Sequence, residues 1–567
     1  MNLKSSHYRI LLLLLGMLLY LPFLGQAPLF DWDEVNFAES AREMLVTGNF
    51  SRVQINFQPF WEKPPLFIWM QAMSMSILGV NEYAARLPNA IFGIINLLML
   101  FEIGRSIRSD RFGFLMAICM GGSFLPHVYF KSGIIDPVFN TFIFAGIWYI
   151  SKAVQNYAER KSSKYSILAG VFIGLAILTK GPVALLIAML TVGIYWAVKR
   201  FKPIVSLKNL ALTALSIFTI SLLWFGPETI KNGPWFLEEF ITYQIRLFST
   251  PDAGHKQPIY YHFVVVFLGC FPMSLLAIKT LFRRPQMRAE DGDFLLWMKI
   301  LFWVVMILFS IVTTKIVHYS SMAYLPLSVI AAIGIEEYLR GRHKYAKWQA
   351  ALMFIPGMVI GLAMLALPIV GQHTDKLIPL IKDQFAQGNL EAFVQWNWVD
   401  YLPGILWLIG LILGLVYLSS GTYRSTITIL FAGTILSTSI FLIRFPKKIA
   451  TYTQQAAVDF YKSLEGQDVY VETYQFKSYA QYFYFRKAAF SPQEALNCKD
   501  ATGNYHIDAV REWYLTGKID KPVYFVVKNI HIDKLIDKPG LQLIEEKNGF
   551  AFFKREVETP IESSLMK

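Results

Sequence analysis

The stretch YRILLLLLGMLLYLPFLGQAPLFDWDEVNFAESAREML, Tyr8 to Leu45, joins two kinds of chemistry without a linker. An apolar run ends at Phe30, and four carboxylates, Asp31, Asp33, Glu34 and Glu39, follow before the next base, Arg42. The run lacks a clear small-x-small cleavage site and is followed by many similar segments. It therefore reads as a retained first membrane helix rather than a cleaved leader. From Asn36 to Leu45, Phe37, Ala41, Met44 and Leu45 share one face while Glu39, Arg42 and Glu43 take the other. That pattern predicts an interfacial helix lying on the membrane.

The rest of the chain extends this reading. It is 54% hydrophobic and only 16% charged, a balance that points to a polytopic membrane protein. Apolar spans of the required ~20 residues fall near 8–25, 84–104, 112–128, 134–153, 165–180, 182–199, 208–227, 260–282, 294–313, 320–339, 348–370, 402–419 and 425–443, about 13 in all. The pair 165–180 and 182–199 is short and split by Gly181-Pro182, so it could be one broken helix pair.

The net charge of +13 does not call for nucleic acid, because the bases sit in short loops between apolar runs. Alternate loops carry them, on the side of Lys4 and Arg9, and that side reads as cytoplasmic. The opposite, periplasmic side carries the long loops 26–83, 228–259 and 371–401 and the tail. Three scattered cysteines make no disulfide or zinc framework. The chain divides into a transmembrane part, 1–444, and an outward-facing α/β tail, 445–567. In the tail DVYVETY and PVYFVVKN read as strands, and LQLIEEKNGFAFFKRE as a hairpin turning at Lys547-Asn548-Gly549.

The outer face collects ionisable residues. Asp31 with Glu34 has the spacing of a capping box, which leaves Asp33 as a candidate base or hydroxyl-orienting group. Glu62-Lys63 precedes a second helix, PPLFIWMQAMSMSIL, whose N-terminus favours anions; a surface ion pair is the plainer alternative. Lys131, Asp136, Lys180, Arg246, His255, Lys315, His318 and Tyr319 fall on the same side. Singly, each reads as a snorkelling or satisfied residue. Together they would ring one site, with cations for phosphate and carboxylates for acid–base or metal chemistry.

In order along the chain, DWDEVNFAESAREMLVTGNF, FWEKPPLFIWMQ, SGIIDP, LTKGPV and KIVHYSSMAYLPL resemble the bacterial GT-C glycosyltransferases related to aminoarabinose transferase and to protein O-mannosyltransferases. The resemblance runs to about residue 340. It implies a multi-pass enzyme of the inner membrane that takes a sugar from a polyprenyl-phosphate carrier on the outer face. The sugar would pass, with inversion, to a lipid, glycan or protein acceptor, the enzyme working as a monomer without a nucleotide.

Under the resemblance Asp33 and Asp136 match the family's acids. Lys63 matches the lysine that grips the carrier phosphate, with Arg246, Lys315, His318, Tyr319 and Glu34 on the substrate side. Glu62 and His255 match ligands of a divalent ion, although zinc sites take three or four protein ligands. The competing class is a transporter or flippase, which should place its polar groups at mid-bilayer on broken helices. A lipid-binding scaffold is a third reading. The charges collect at outer helix ends, which favours the enzyme.

Overall fold

The computed structural model describes residues 4–60, 62–249, 257–283, 288–342, 346–497 and 507–557. Among them, eight helices are long and apolar enough to cross a membrane: Glu82–Ile107, Lys161–Lys180, Leu207–Asn232, Ala289–Ile311, Val317–Leu339, Lys347–Gln372, Trp398–Ser419 and Tyr423–Thr451. The pair Tyr261–Gly269 and Met273–Phe282, bent by 119°, makes a ninth if counted as one span. Thirteen full crossings are therefore not seen.

The reasons are local. The expected span 112–128 divides into Asp110–Gly121 and Phe124–Tyr129, and Ser5–Tyr20 and Val183–Val198 are shorter than a bilayer core. At Gly181 the backbone takes φ +94°, and an added Cβ would lie 2.6 Å from the Phe240 ring. Glycine is the residue that permits this sharp turn between Lys161–Lys180 and Val183–Val198.

The first-loop helix, Asp33–Thr47, corrects the sequence reading most. Every residue from Glu34 to Met44 is buried, on both faces. It does not lie on lipid. Its apolar face meets Leu66–Leu78, where Phe37 packs edge-on to Phe67, and the tail covers its polar face. There Arg42 makes a bidentate pair with Glu39 at 2.7 Å and donates to the Lys487 carbonyl at 2.8 Å. An amphipathic pattern marks two environments, and here the polar one is protein rather than water.

The last helix runs past 445 to Thr451, and the tail's own elements begin with Gln455–Ser463. Its sheet has the spatial order Tyr470–Tyr474, Val523–Lys528, Phe550–Arg555, Leu541–Lys547. The first pair is parallel and the other two antiparallel. The hairpin turns at Asn548 (φ 49°) and Gly549 (φ 82°), both left-handed, as a tight two-residue turn requires. Further hydrogen bonds tie the tail to the first loop, among them Leu29 N–H to Tyr484 at 2.7 Å, Gln454 to the Leu29 carbonyl at 2.6 Å, and Asp31 N–H to Gln454 at 3.1 Å.

Candidate active site

Antiparallel neighbours and helix ends build the site. Helices Asp136–Gln155 and Lys161–Lys180 are joined by a short turn, so the first residue of one lies beside the last residue of the other. Lys180 accordingly reaches Asp136 at 2.5 Å and also covers the Tyr319 ring at 5.0 Å. Asp33 opens the first-loop helix, and the short helical turn Val317–Ala323 carries His318 to it, Nε2 to Oδ2 3.4 Å. Glu62 and Lys63 sit in the approach to Leu66–Leu78, just before Pro64-Pro65. All of these line one cavity of about 920 Å³. Its remaining wall is largely apolar, including Phe139, Leu186, Ile241, Ile245 and Phe309.

Lys63 is the cation best placed for an anion. Among the described residues it makes no ion pair; its ammonium lies over the Tyr243 ring at 4.9 Å. Burial pushes its pKa below the ordinary lysine value, partly opposed by Glu62, so its charge is held at a cost that a bound anion would relieve. The Tyr243 hydroxyl donates to Glu62 at 2.8 Å, and Arg246 packs on the Tyr243 ring at 5.1 Å. Tyr243 was not singled out by sequence, since one tyrosine in WFLEEFITYQIRLF carries no signal of its own.

Glu34 lines the cavity, yet its oxygens are committed elsewhere. They accept from Arg86 at 2.6 and 3.0 Å, from the Phe30 N–H at 2.9 Å and from the Gly133 N–H. Arg86 also donates to the carbonyls of Leu24, Ala27 and Pro28. Burial acts to raise the Glu34 pKa, but Arg86 and the two backbone donors outweigh it and hold the carboxyl below its usual range. Glu34 thus braces the loop, which corrects its placement among substrate ligands. The expected capping box is also absent: Trp32 occupies the N-cap, and the Asp31 carboxylate accepts from the Trp32 N–H at 3.0 Å. Arg86 had a readable signal, because a charge inside an apolar span needs a partner.

Other expected members stand apart. Lys131 turns to the carbonyls of Leu19 and Pro22. Lys315 is buried and donates to the Val312 carbonyl at 2.8 Å; the wall is formed by its neighbours Thr314 and Ile316 instead. Arg246 is exposed beyond the cavity wall, against Tyr243. His255 lies outside the described residues. Among those residues no three His, Cys, Asp or Glu side chains converge as metal ligands, and Glu62 is engaged with Tyr243.

A multi-pass helical body with a buried first-loop helix and acids at helix ends over an apolar-walled cavity has the architecture of the GT-C fold. Comparison with known proteins agrees. Residues 62–224 match the family model for dolichyl-phosphate-mannose-protein mannosyltransferases. Two undecaprenyl phosphate-α-4-amino-4-deoxy-L-arabinose arabinosyl transferases align with the chain. That of Photorhabdus laumondii is 25% identical over 64% of this chain and 66% of its own length. That of an Enterobacter species is 29% identical over 58% and 59%. The chain therefore spans somewhat under two thirds of these relatives. ArnT of Cupriavidus metallidurans, solved bound to undecaprenyl phosphate, superposes with a TM-score of 0.76 at 16% identity, covering 97% of this chain and 98% of that one. The apo oligosaccharyltransferase of Archaeoglobus fulgidus gives 0.53 over 93% and 70% at 10% identity. The resemblance seen in the sequence motifs thus extends to the fold.

Proposed function

We propose that the protein transfers a sugar from a polyprenyl-phosphate carrier to an acceptor at the periplasmic face of the inner membrane, inverting the anomeric centre. The observation that carries this is one cavity in which an apolar wall, a lysine that makes no ion pair among the described residues and a carboxylate–histidine pair face the same space. The prenyl chain would lie along the wall by Ile241 and Ile245, with its phosphate at Lys63.

Cleavage sends the C1–O electron pair onto the carrier phosphate, where the Lys63 ammonium stabilises the developing charge. The acceptor attacks C1 from the opposite face, which inverts it. Asp33 accepts a hydrogen bond from the acceptor and faces the positive charge that grows at C1. For a hydroxyl acceptor Asp33 takes the proton, and His318 at 3.4 Å orients the carboxylate. Asp136, neutralised by Lys180, holds that ammonium at the far side. No nucleotide is needed, since the glycosyl phosphate stores the energy of transfer.

Mass spectrometry of a deletion strain tests the reading. An accumulated polyprenyl-phosphate sugar together with a lost envelope glycoconjugate is expected. Unchanged pools of both would refute it. Deletion of a flippase would instead leave its carrier-linked substrate on the cytoplasmic leaflet.

A further inference from the structure

A second cavity, of about 590 Å³, lies apart from the active site. Helix Asp136–Gln155 is its floor: Thr141, Phe142, Ala145, Trp148, Tyr149 and Lys152 recur along one face at helical spacing. Helix Glu82–Ile107 supplies one wall, from Phe92 to Ser106, and Tyr165 and Phe172 of Lys161–Lys180 supply the other. At about 1.5 Å per residue, Thr141 to Lys152 covers roughly 16 Å, half of a ~30 Å hydrocarbon core.

The cavity has a polar end and an apolar end. Asp136 and Lys180 stand in the active site, so Lys152 and Tyr165 lie toward the opposite ends of their helices. The loops at that face carry Arg111, Arg160, Lys161 and Lys164. Toward mid-membrane the lining is aromatic. Tyr149 stacks on Phe172 at 5.5 Å with planes 8° apart, and Phe92 meets Phe142 edge-on at 5.5 Å. Ile95 on the rim is 41% exposed, so the cavity opens sideways, as a groove facing lipid. At the polar end the Lys152 ammonium lies over the Trp148 ring at 4.6 Å and donates to the Gln155 side chain at 3.0 Å. Among the described residues it makes no ion pair, and Glu290 attracts it only from a distance. Glu102, a carboxylate on this wall, is held by Arg9 at 2.6 Å and Arg105 at 2.7 Å, which offsets its charge toward an incoming anion.

We propose that this groove binds an acidic phospholipid of the cytoplasmic leaflet, with one acyl chain along the aromatic floor and the phosphate at Lys152. Basic pockets between spans at that depth suit anionic head groups, and a groove one leaflet deep suits a single acyl chain. A membrane helix of another chain fits poorly, because close helix contacts use small residues whereas this lining is dominated by aromatic rings. The Lys63 cavity opens beside Asp136 and Lys180, at the other ends of these helices, so the two anion positions are distinct. A lipid seated here braces the helix whose first residue is Asp136.

The test uses the full-length protein in phosphatidylcholine nanodiscs doped with phosphatidylglycerol that carries a diazirine in its acyl chain. Photolysis and peptide mass spectrometry should place adducts within 92–106 and 141–152. Unlabelled phosphatidylglycerol should compete about fivefold better than phosphatidylethanolamine, the worth of one basic residue beside an anionic leaflet. Lys152→Gln should erase that preference; its side chain is part-buried at the membrane edge, so little packing is lost. Ile95→Trp, on the exposed rim, should fill the groove and remove both sets of adducts. Adducts spread equally onto the lipid-facing helix Leu207–Asn232 would mark annular lipid only and overturn the proposal. Equal competition by the two phospholipids overturns it, as does a preference that survives Lys152→Gln. Undecaprenyl phosphate competing better than phosphatidylglycerol would make the groove a carrier site and also overturns it.

Discussion

Asp33 and Glu34 are adjacent carboxylates that the structure gives opposite jobs, and replacing each by its amide separates them. Glu34→Gln leaves the Arg86 guanidinium buried with three carbonyl partners and no counter-charge. The amide nitrogen would also face donors, whether Arg86, Phe30 N–H or Gly133 N–H. Both side chains of this pair are almost wholly buried, at 6% and 3% exposure, so solvent screening offers little relief. Removing one partner of such a pair costs about 3–5 kcal/mol. Asp33, by contrast, is part-exposed and its nearest partner is His318 at 3.4 Å. Asp33→Asn should alter stability by no more than about 0.5 kcal/mol yet lower transfer by about 10²–10⁴-fold.

Acid pH gives a second handle on the same pair. The Glu34 pKa is lower in the folded protein than in the unfolded chain. Its contribution is therefore present above the unfolded carboxyl value and is lost as pH falls through the folded one. The melting temperature of the unmodified protein should drop over that acid window, and Glu34→Gln should flatten the drop. Thermal melts in detergent across pH 3–7 (about the carboxylate range), paired with transfer assays, read both arms. A Glu34→Gln protein that melts like the parent but fails to transfer would refute the division of labour.

Three further outcomes are expected. Lys63→Ala should weaken undecaprenyl phosphate about ten- to hundredfold, the range for a hydrogen bond to a charged group, in a direct binding titration. In the unmodified protein that affinity should fade with rising pH earlier than an ordinary lysine would dictate, because burial lowers the Lys63 pKa. Gly181→Ala should destabilise by more than the roughly 1–2 kcal/mol of a left-handed alanine, given the 2.6 Å approach to Phe240, and thermal melts check this. A cysteine placed at exposed Glu546 should react with an impermeant maleimide from the periplasmic side; labelling only after the inner membrane is opened would reverse the topology.

The sequence by itself determined the membrane class, the small tail with its hairpin at Asn548-Gly549, and the helix ends that carry Asp33, Lys63, Asp136 and His318. Hydropathy, turn chemistry and charge at span boundaries are local properties, so they are readable along the chain. Only the tertiary structure decided what occupies Glu34: the sequence pattern offers a capping box with Asp31, whereas Arg86, fifty-two positions along the chain, claims the carboxylate. It also decided that the first-loop helix is buried. Amphipathicity reports a polar environment without saying whether water or the tail's Lys487 carbonyl supplies it. The meeting of Trp32 with Tyr479 has the same origin: residues hundreds of positions apart become neighbours only when the tail folds back onto the first loop.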